Sequence, residues 1–277
     1  MGDTSRRPRI LALLAGSKPV EVVLTLAVYA VYAAVVAASL VPACYLLIRL
    51  LPPALAPALA PALAGGSAAA PAVVLRAAAL AAAALAGALY LYLFVGAVVQ
   101  AAAIRLLSIG VRPGRYPAVS LTTLRWLVYN GIFTISMRTV LPLIPVSFLT
   151  NLYFRIVGCR MGRNVKLNAF QLNDAYLLTI GDDVIVGGQT DISCHLFEHD
   201  HLILRPITIG SRTLIGAHSY ISPGVSIGSD CLIGLYSYIR AGRTIPDGAK
   251  ITSLAGIDVH TARHIERGRV VGPRQDR

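Results

Sequence analysis

Two stretches without a single charged side chain dominate the first half of the chain. The first lies between Glu21 and Arg49, and the second lies between Arg76 and Arg105. Each is longer than the roughly 20 residues that an α-helix needs to cross a hydrocarbon layer about 30 Å thick. The pattern therefore predicts two transmembrane helices within residues 20–104, held as a permanent anchor because the first apolar run is too long for a signal peptide.

The segment that joins the two predicted helices, residues 52–71, is rich in alanine and proline. Repeated prolines remove backbone donors and break helices, so we predict an extracytoplasmic turn here. Lysine and arginine are absent from this segment, whereas a basic N-terminus, residues 1–19, precedes the helices and further arginines follow them. Loops rich in these residues stay in the cytoplasm. We therefore expect a multi-pass protein of the inner membrane, with both termini facing the cytoplasm.

Residues 105–158 are apolar but carry Arg125, Arg138 and Arg155, and prolines interrupt them. This pattern favours amphipathic helices that lie on the inner leaflet of the membrane. A re-entrant or crossing segment between residues 121 and 157 is the alternative.

Beyond residue 158 the apolar pattern changes to a period of six. Ile180, Val186 and Ile192 keep this period first, and a second run follows in a different phase. That second run consists of nine isoleucines without a gap: Ile209, Ile215, Ile221, Ile227, Ile233, Ile239, Ile245, Ile251 and Ile257. A period of six fits neither a helix nor a simple strand. It is typical of a parallel β-helix, which turns a corner every six residues and stacks the aliphatic side chains inside.

Glycine commonly follows the aliphatic residue of each repeat, as at Gly210 and Gly216. We interpret these glycines as corner residues that adopt unusual φ values. The β-helix is predicted over residues 159–258, and a basic tail, residues 259–277, follows it.

The repeat pattern resembles the hexapeptide-repeat acyltransferase superfamily, whose β-helix is left-handed and takes three hexapeptides per coil. The resemblance implies a mixed membrane protein with two transmembrane α-helices, interfacial helices and a left-handed parallel β-helix of about five coils. Members of the superfamily assemble as trimers with active sites between protomers. A homotrimer is therefore expected.

Charge and cysteine content narrow the kinds of molecule that the protein is expected to bind. Only 14% of the residues are charged, against roughly a quarter in an ordinary soluble domain, yet the net charge is +12. The basic residues cluster beside the apolar spans and at the C-terminus, which favours membrane lipids with anionic headgroups over nucleic acid. The four cysteines lack paired metal-ligand spacing, so we expect free thiols and no metal.

The six-residue phase breaks between Ile192 and Ile209, which predicts a loop leaving the solenoid. The loop reads SCHLFEHDHLILRP and contains three of the six histidines. Loops on a rigid scaffold are a usual place for catalysis. In the superfamily a histidine on such a loop is the general base, and His195 holds the matching position. An imidazole can take a proton near neutral pH, and we expect Glu198 to orient its ring and stabilise the imidazolium.

Other residues of the same loop have weaker claims to catalysis. His199 and His201 are interpreted as loop or acceptor-site residues. Cys194 is a candidate nucleophile in principle, although nothing in the sequence indicates a lowered pKa of its thiol.

A narrower resemblance rests on the segment from Arg155 to Val165, RIVGCRMGRNV, and on the HLFE sequence of the loop. Together with the membrane helices, these are similar to the C-terminal modules of ε-poly-lysine synthase-type nonribosomal peptide synthetases, which join aminoacyl units carried on phosphopantetheine. The resemblance implies that the donor is an acyl-CoA or an acyl-phosphopantetheine on a carrier protein.

The superfamily binds pantetheine along the wall of the solenoid. By register, Ala217 and Leu235 occupy stacked positions of two successive coils, although Leu235 replaces a usually small residue. Arg240, Arg243 and Lys250 are predicted to contact the CoA phosphates through charge-assisted hydrogen bonds. Solvated surface charge is the alternative interpretation of these three residues.

We therefore predict a membrane-anchored hexapeptide-repeat acyltransferase that transfers an acyl or aminoacyl group to an amine or hydroxyl of a small-molecule acceptor. A membrane-tethered β-helix scaffold without catalysis is the first alternative. A γ-class carbonic anhydrase-like zinc protein is the second, because that class shares the fold and binds zinc through histidines. The five-residue histidine spacing of that class is missing, since Pro223 stands five places after His218.

Overall fold

The computed structural model describes residues 18–64 and 69–251, together with short strands at 256–257, 264–266 and 269–271. The predicted basic N-terminus and most of the basic tail lie outside these residues. Two long helices come first: α1 (Lys18–Leu63) and α2 (Pro71–Ser108). By length and composition both are apolar enough to cross a membrane, with mean hydropathies of 2.2 and 2.1. The two predicted apolar helices are confirmed.

Helix α1 extends further than the sequence predicts, because it continues to Leu63 through much of the segment assigned to a turn. Alanine and leucine, which are among the best helix formers, fill the positions between the prolines. Pro53, Pro57 and Pro61 are four residues apart, so their missing N–H groups lie on one side of the helix. The prolines therefore weaken the helix along one stripe without ending it before Leu63, and the second helix begins at Pro71.

A group of shorter elements follows α2 and corresponds to the predicted interfacial segment. These are β1 (Gly114–Pro117), α3 (Leu121–Thr139), a 3-10 turn (Leu141–Leu143) and α4 (Phe148–Val157). Both helices begin at serine caps, because Ser120 accepts a hydrogen bond from the backbone of Thr123 and Ser147 accepts one from Thr150. Helix α4 ends at Gly158, whose φ of 116° is left-handed.

Helix α3 runs antiparallel to α2. At one end Ser136 Oγ donates to Gln100 Oε1 at 2.6 Å, and at the other end the Arg125 guanidinium donates to the carbonyl of Leu107 at 2.8 Å. The aromatic side chains of α3 and α4, including the fully buried Phe133 and Phe154, fill the space between these helices and the first coil of the solenoid. The helices and the solenoid therefore share one continuous hydrophobic core.

Five coils form the solenoid, and each coil contributes one strand to each of three parallel sheets. The first two coils contain β2 (Arg160–Met161), β3 (Lys166–Leu167), β4 (Gln171–Asn173), β5 (Leu178–Ile180), β6 (Ile185–Val186) and β7 (Asp191–Ser193). A hairpin, β8 (His195–Glu198) and β9 (His201–Leu204), follows them and separates the second coil from the third. The last three coils contain β10 (Ile207–Ile209), β11 (Leu214–Ile215), β12 (Tyr220–Ile221), β13 (Ser226–Ile227), β14 (Leu232–Ile233), β15 (Tyr238–Ile239), β16 (Thr244–Ile245), β17 (Lys250–Ile251) and β18 (Gly256–Ile257).

The isoleucines of the six-residue pattern form ladders inside the solenoid. Ile215 pairs with Ile233 and Ile233 pairs with Ile251, each time 18 residues further on, so a coil consists of three hexapeptides. These side chains are buried, with exposed fractions of 0%, 0% and 4%. The prediction of a parallel β-helix of about five coils is confirmed.

The glycines of the repeats have a different role from the predicted one. A Cβ built on Gly216 would lie 2.6 Å from the backbone of the next coil, and one on Gly210 would lie 2.4 Å from it. These glycines are therefore needed for the close stacking of coils. The left-handed φ values occur instead three places after the aliphatic residue of a repeat. They are found there at non-glycine residues, such as His218 at 58° and Tyr236 at 56°, and at Gly224, Gly242 and Gly248.

The hairpin leaves the solenoid at the corner between the third sheet (β4, β7, β12, β15, β18) and the first sheet (β2, β5, β10, β13, β16). Its second strand pairs antiparallel with β1, so that β1, β9 and β8 form a separate three-stranded sheet. This sheet connects the hairpin to the chain that follows α2. The interruption lies where the phase of the repeats breaks, between Ile192 and Ile209, as predicted.

Candidate active site

His195 is the first residue of the hairpin, and its ring faces the helical part of the chain. Because side chains alternate along a strand, His195 and Phe197 lie on the same face of β8. Both rings pack edge-on against Trp126 of α3, with centroid distances of 4.8 Å and 5.5 Å. The imidazole is therefore wedged against a helix and keeps a side-chain exposure of 22%.

A buried carboxylate orients this imidazole. Asp174 Oδ2 lies 2.5 Å from His195 Nδ1, and the side chain of Asp174 is only 1% exposed. Asp174 follows β4, whose last residue, Asn173, pairs with Ser193 in the next coil. The stacking of two coils therefore brings together an aspartate and a histidine that are 21 residues apart.

The other oxygen of the same carboxylate is also occupied. Trp126 Nε1 donates a hydrogen bond to Asp174 Oδ1 at 2.8 Å. Since a buried carboxylate is stable only when its oxygens are hydrogen-bonded, the indole and the imidazole together keep Asp174 in place. A histidine whose Nδ1–H donates to a carboxylate leaves Nε2 free to accept a proton, which is the arrangement of a general base.

Glu198 does not take the orienting role that we expected. It is three residues from His195 in the same strand, so its side chain lies on the opposite face of the hairpin. There it lines an open cleft of about 410 Å³ together with Pro113, Gly114, Arg115, Ile203, Leu204 and Arg205. The carboxylate that contacts the imidazole is that of Asp174, which the sequence analysis missed because the spacing between the two residues depends on the coil register.

The other polar residues of the hairpin have local partners. His201 Nδ1 lies 2.6 Å from Asp200 Oδ1 near the tip, and His199 adopts a left-handed φ of 53° in the turn. Cys194 is fully buried, and its burial and the neighbouring Asp174 hold the pKa of its thiol well above the usual range. A protonated, buried thiol is a poor nucleophile. The geometry therefore favours His195 over Cys194 as the reactive group.

The residues predicted to bind the donor are distributed over three places on one protomer. Ala217 and Leu235 stack on consecutive coils, where the Ala217 carbonyl accepts a hydrogen bond from the Tyr236 amide at 3.0 Å. They lie at the corner between the second sheet (β3, β6, β11, β14, β17) and the third sheet. The hairpin leaves from the next corner, so one protomer does not bring them to His195.

Arg240 and Arg243 flank the corner from which the hairpin leaves, two coils further along, whereas Lys250 projects from the second sheet and is exposed. A third arginine, which sequence reasoning missed, lies at this corner. A Cβ built on Gly224 would be 3.1 Å from Cδ of Arg205, so the Arg205 side chain lies directly along the glycine-containing corner. Arg205, Arg240 and Arg243 together form a basic edge below the hairpin.

Among the described residues, no group of three or more histidine, cysteine, aspartate or glutamate side chains is arranged to hold a metal ion. Fold and site together define a solenoid protein of hexapeptide repeats in which a His–Asp pair lies on an inserted hairpin. The family model for the hexapeptide repeat of succinyl-transferase matches residues 206–239 and 224–252. The repeats of the chain therefore fit the hexapeptide-repeat acyltransferase superfamily, as the sequence pattern predicts.

One curated relative matches a longer stretch of the chain than the family model does. Delta-poly-L-ornithine synthetase of Acinetobacter baumannii (strain AB307-0294) is 32% identical over 124 residues, which cover 45% of this chain. The chain spans 9% of the length of that relative.

Two solved structures match the chain at low identity. A maltose O-acetyltransferase from Clostridium difficile 630 is 14% identical, with a TM-score of 0.38 over 58% of this chain and 92% of its own. Serine acetyltransferase isoform 3 of Entamoeba histolytica, in complex with cysteine, is 11% identical, with a TM-score of 0.19 over 69% of this chain and 75% of its own.

Proposed function

We propose that the protein is a membrane-anchored acyltransferase that uses His195 as its general base. The donor is the thioester of an acyl-CoA or of a phosphopantetheine carrier, and the acceptor is an amine or a hydroxyl group. The observation that carries the proposal is the hydrogen bond between His195 Nδ1 and the buried carboxylate of Asp174. The match to the hexapeptide-repeat family model supports acyl transfer as the general class of reaction.

His195 and Asp174 together form a catalytic dyad, and this dyad suits the proton transfers that the reaction needs. His195 Nε2 takes the proton of the acceptor as its nitrogen or oxygen attacks the thioester carbonyl, and a carbon–nitrogen or carbon–oxygen bond forms. The carbon–sulfur bond then breaks, and the imidazolium returns the proton to the leaving thiolate. The Asp174 carboxylate stabilises the imidazolium between these two steps. No covalent enzyme intermediate is required.

Two features bear on the donor and the acceptor. The curated relative is named as a synthetase of a poly-L-ornithine, which supports an aminoacyl donor and an amine acceptor. The basic edge formed by Arg205, Arg240 and Arg243 suits the phosphate groups of CoA or of a phosphopantetheine arm. Ala217 and Leu235 lie at another corner of the same protomer, which supports a homotrimer in which a neighbouring protomer supplies this wall.

The helices support attachment to the inner membrane. We propose that α1 and α2 cross the bilayer, with the basic N-terminus and the solenoid in the cytoplasm. The junction between the helices and the solenoid exposes apolar side chains such as Leu121 (69%), Leu143 (59%) and Phe148 (74%). Such side chains suit the boundary between lipid headgroups and acyl chains, so α3 and α4 are proposed to lie at the inner leaflet.

The test is a transfer assay on the full chain in lipid nanodiscs. A panel of acyl-CoA and aminoacyl-pantetheine thioesters is incubated with amines and alcohols, and mass spectrometry detects the products. His195→Ala is expected to lower kcat about 10²–10⁴-fold, the usual contribution of a general base. His199→Ala, which alters an exposed histidine of the same hairpin, is the control and should retain activity. Full activity of His195→Ala, or no turnover of any thioester by the wild-type protein, would contradict the proposal and leave the scaffold interpretation.

A further inference from the structure

A second aspartate lies on the outer surface of the third sheet, beside the dyad. Asp191 precedes Ile192, whose side chain is fully buried in the solenoid, so alternation places Asp191 on the outside. Asn173 of the preceding coil donates its side-chain amide to Asp191 Oδ1 at 2.9 Å. Tyr220 of the following coil pairs with Asp191 in register. Asp191 is therefore fixed in position four residues before His195.

The surroundings of Asp191 leave its negative charge poorly compensated. The side chain is half-buried, and burial raises the pKa of its carboxyl, against the smaller opposing effects of the Asn173 hydrogen bond and the nearby His195. The ion pairs found in the described part of the chain do not include Asp191. A partly buried carboxylate without an ion-pair partner is stabilised more by binding a cation than a fully hydrated carboxylate is.

Hydroxyl groups lie next to this carboxylate. Ser193 Oγ is 3.4 Å from His195 Nδ1 and donates to the His195 carbonyl at 3.0 Å. Ser222 comes directly after β12, and Ser193 is the last residue of β7. Because β7 and β12 pair in register, the two serines occupy equivalent positions in successive coils. Its side-chain oxygen is buried and has no hydrogen-bond partner in the structure. This part of the sheet therefore offers hydrogen-bond acceptors and one carboxylate beside a general base.

We propose that Asp191 is the binding site for the ammonium group of an acceptor that carries a second nucleophilic group. This inference rests on the proposed function and narrows the acceptor to a diamine or a basic amino acid. The bound ammonium is not the nucleophile, because a carboxylate partner keeps an amine protonated. It anchors one end of the acceptor at Asp191, and the uncharged amine at the other end attacks the thioester beside His195 Nε2.

The atoms balance in this arrangement. The attacking nitrogen forms a bond to the carbonyl carbon while its proton passes to His195 Nε2. The carbon–sulfur bond breaks, and the thiolate receives that proton. The ammonium group at Asp191 is unchanged and leaves with the amide product.

Binding measurements test the inference without turnover. Calorimetric titration of the full chain in nanodiscs uses 1,4-diaminobutane as the probe and 1,4-butanediol as its uncharged analogue. The wild-type protein and His195→Ala should bind the diamine, and neither should bind the diol. Asp191→Asn should bind the diamine about 10–100-fold more weakly, which corresponds to the loss of a charge-assisted hydrogen bond.

A matched control exists in the same solenoid. Asp183 accepts a hydrogen bond from the Asn164 side chain at 2.8 Å, as Asp191 does from Asn173, but it lies at a corner away from the dyad. Asp183→Asn should therefore leave diamine binding unchanged. Equal binding by Asp191→Asn and the wild-type protein, or no diamine binding by the wild-type protein, would overturn the inference. Neither result concerns the role of His195, which is decided by whether His195→Ala retains transfer activity.

Discussion

Trp126 donates its indole N–H to Asp174 at 2.8 Å, and so helix α3 holds the aspartate that orients His195. The two residues are 48 positions apart and belong to different parts of the fold. The indole ring also covers one side of the imidazole. The solenoid alone therefore lacks one wall of the candidate site, and the packing of α3 on the first coils completes it.

Trp126→Phe tests this relationship. Phenylalanine keeps a ring against His195 but removes the donor to Asp174, so the carboxylate loses one of its two hydrogen bonds. We expect kcat to fall about 10-fold, with KM for the donor unchanged. The matched control is Phe197→Leu, which removes the other ring packed on Trp126 and leaves the hydrogen bond to Asp174 intact. A loss of activity in the control but not in Trp126→Phe would show that ring packing matters and the N–H does not.

Fluorescence gives a readout that does not depend on activity. Trp126 is the only tryptophan of the chain, and it is 5% exposed. Its emission therefore reports the surroundings of this one indole, which include the hydrogen bond to Asp174. Asp174→Ala should change the intensity and wavelength of that emission, because the indole N–H loses its partner. An unchanged spectrum would contradict the hydrogen bond.

Asp174→Asn and Glu198→Gln test which carboxylate orients His195. The structure indicates Asp174, whereas the sequence-based prediction was Glu198. An asparagine at position 174 keeps the shape but loses the charge that stabilises the imidazolium, so kcat should fall about 10²–10⁴-fold. Glu198 lies on the opposite face of the hairpin, and Glu198→Gln should change kcat less than about 3-fold. The ratio of the two effects, measured in the same transfer assay, decides between the two carboxylates.

The period of six was enough to predict the solenoid and the position of the inserted loop, and the family resemblance implied the number of coils through its three hexapeptides per coil. Nine isoleucines in one register leave few alternative folds, and the phase break marks the insertion. Asp174 was out of reach because its contact with His195 depends on which coil positions stack. In the structure Asn173 pairs with Ser193, and this register places the next residue, Asp174, beside the start of the hairpin. The irregular spacing before Ile180 conceals that register in the sequence.

For helix α1 the sequence predicted a feature, a turn, that the structure does not have at the prolines. Its prolines predict a turn if each residue is judged by its own preference. In the structure the long apolar helix continues past them to Leu63, because the intervening alanines and leucines and the packing against α2 outweigh the lost hydrogen bonds. The preference of each proline was therefore outweighed by its helix-forming neighbours and by helix pairing.

The thiol of Cys194 should be inert at neutral pH, although it is next to His195 in the chain. Burial is the main reason that its pKa is raised, and burial also raises the pKa of the Cys159 thiol to about 12. Both thiols are therefore protonated and shielded. We expect iodoacetamide at pH 8 to modify neither in the folded protein, and Cys194→Ala to retain transfer activity. Rapid alkylation of Cys194, followed by mass spectrometry of its peptide, would show that the site is more open than the structure indicates.

The isoleucine ladder can be tested through stability. Ile233 is fully buried between Ile215 and Ile251, so Ile233→Ala should destabilise the solenoid by about 2–5 kcal/mol through lost contacts and an unfilled cavity. Leu232, its neighbour in the same strand, faces outward and is 41% exposed. Leu232→Ala should cost less than about 1 kcal/mol. Urea denaturation monitored by circular dichroism compares the two variants, and similar losses would contradict the inward orientation of the isoleucines.

Asp191 should lower the stability of the folded protein while it strengthens the binding of a cationic ligand. Its pKa is raised in the folded protein, so the folded state penalises the charged form relative to the unfolded state, in which the pKa is about 3.9. The penalty is fully present above the folded pKa and disappears as the pH falls below the unfolded value. Asp191→Asn should therefore raise the melting temperature by about 1–2 °C at pH 7.

The gain should shrink as the pH is lowered towards 4, because the wild-type carboxyl then becomes protonated as well. The groups that face Asp191 are Asn173, His195 and Tyr220, and Asn173 still has an acceptor in the variant. Differential scanning calorimetry between pH 4 and pH 8 measures the effect. A variant that is less stable than the wild-type protein at pH 7 would mean that the charge is already compensated in the free protein. A more stable variant that has lost diamine binding would mean that the fold tolerates an unfavourable charge in order to bind a cation.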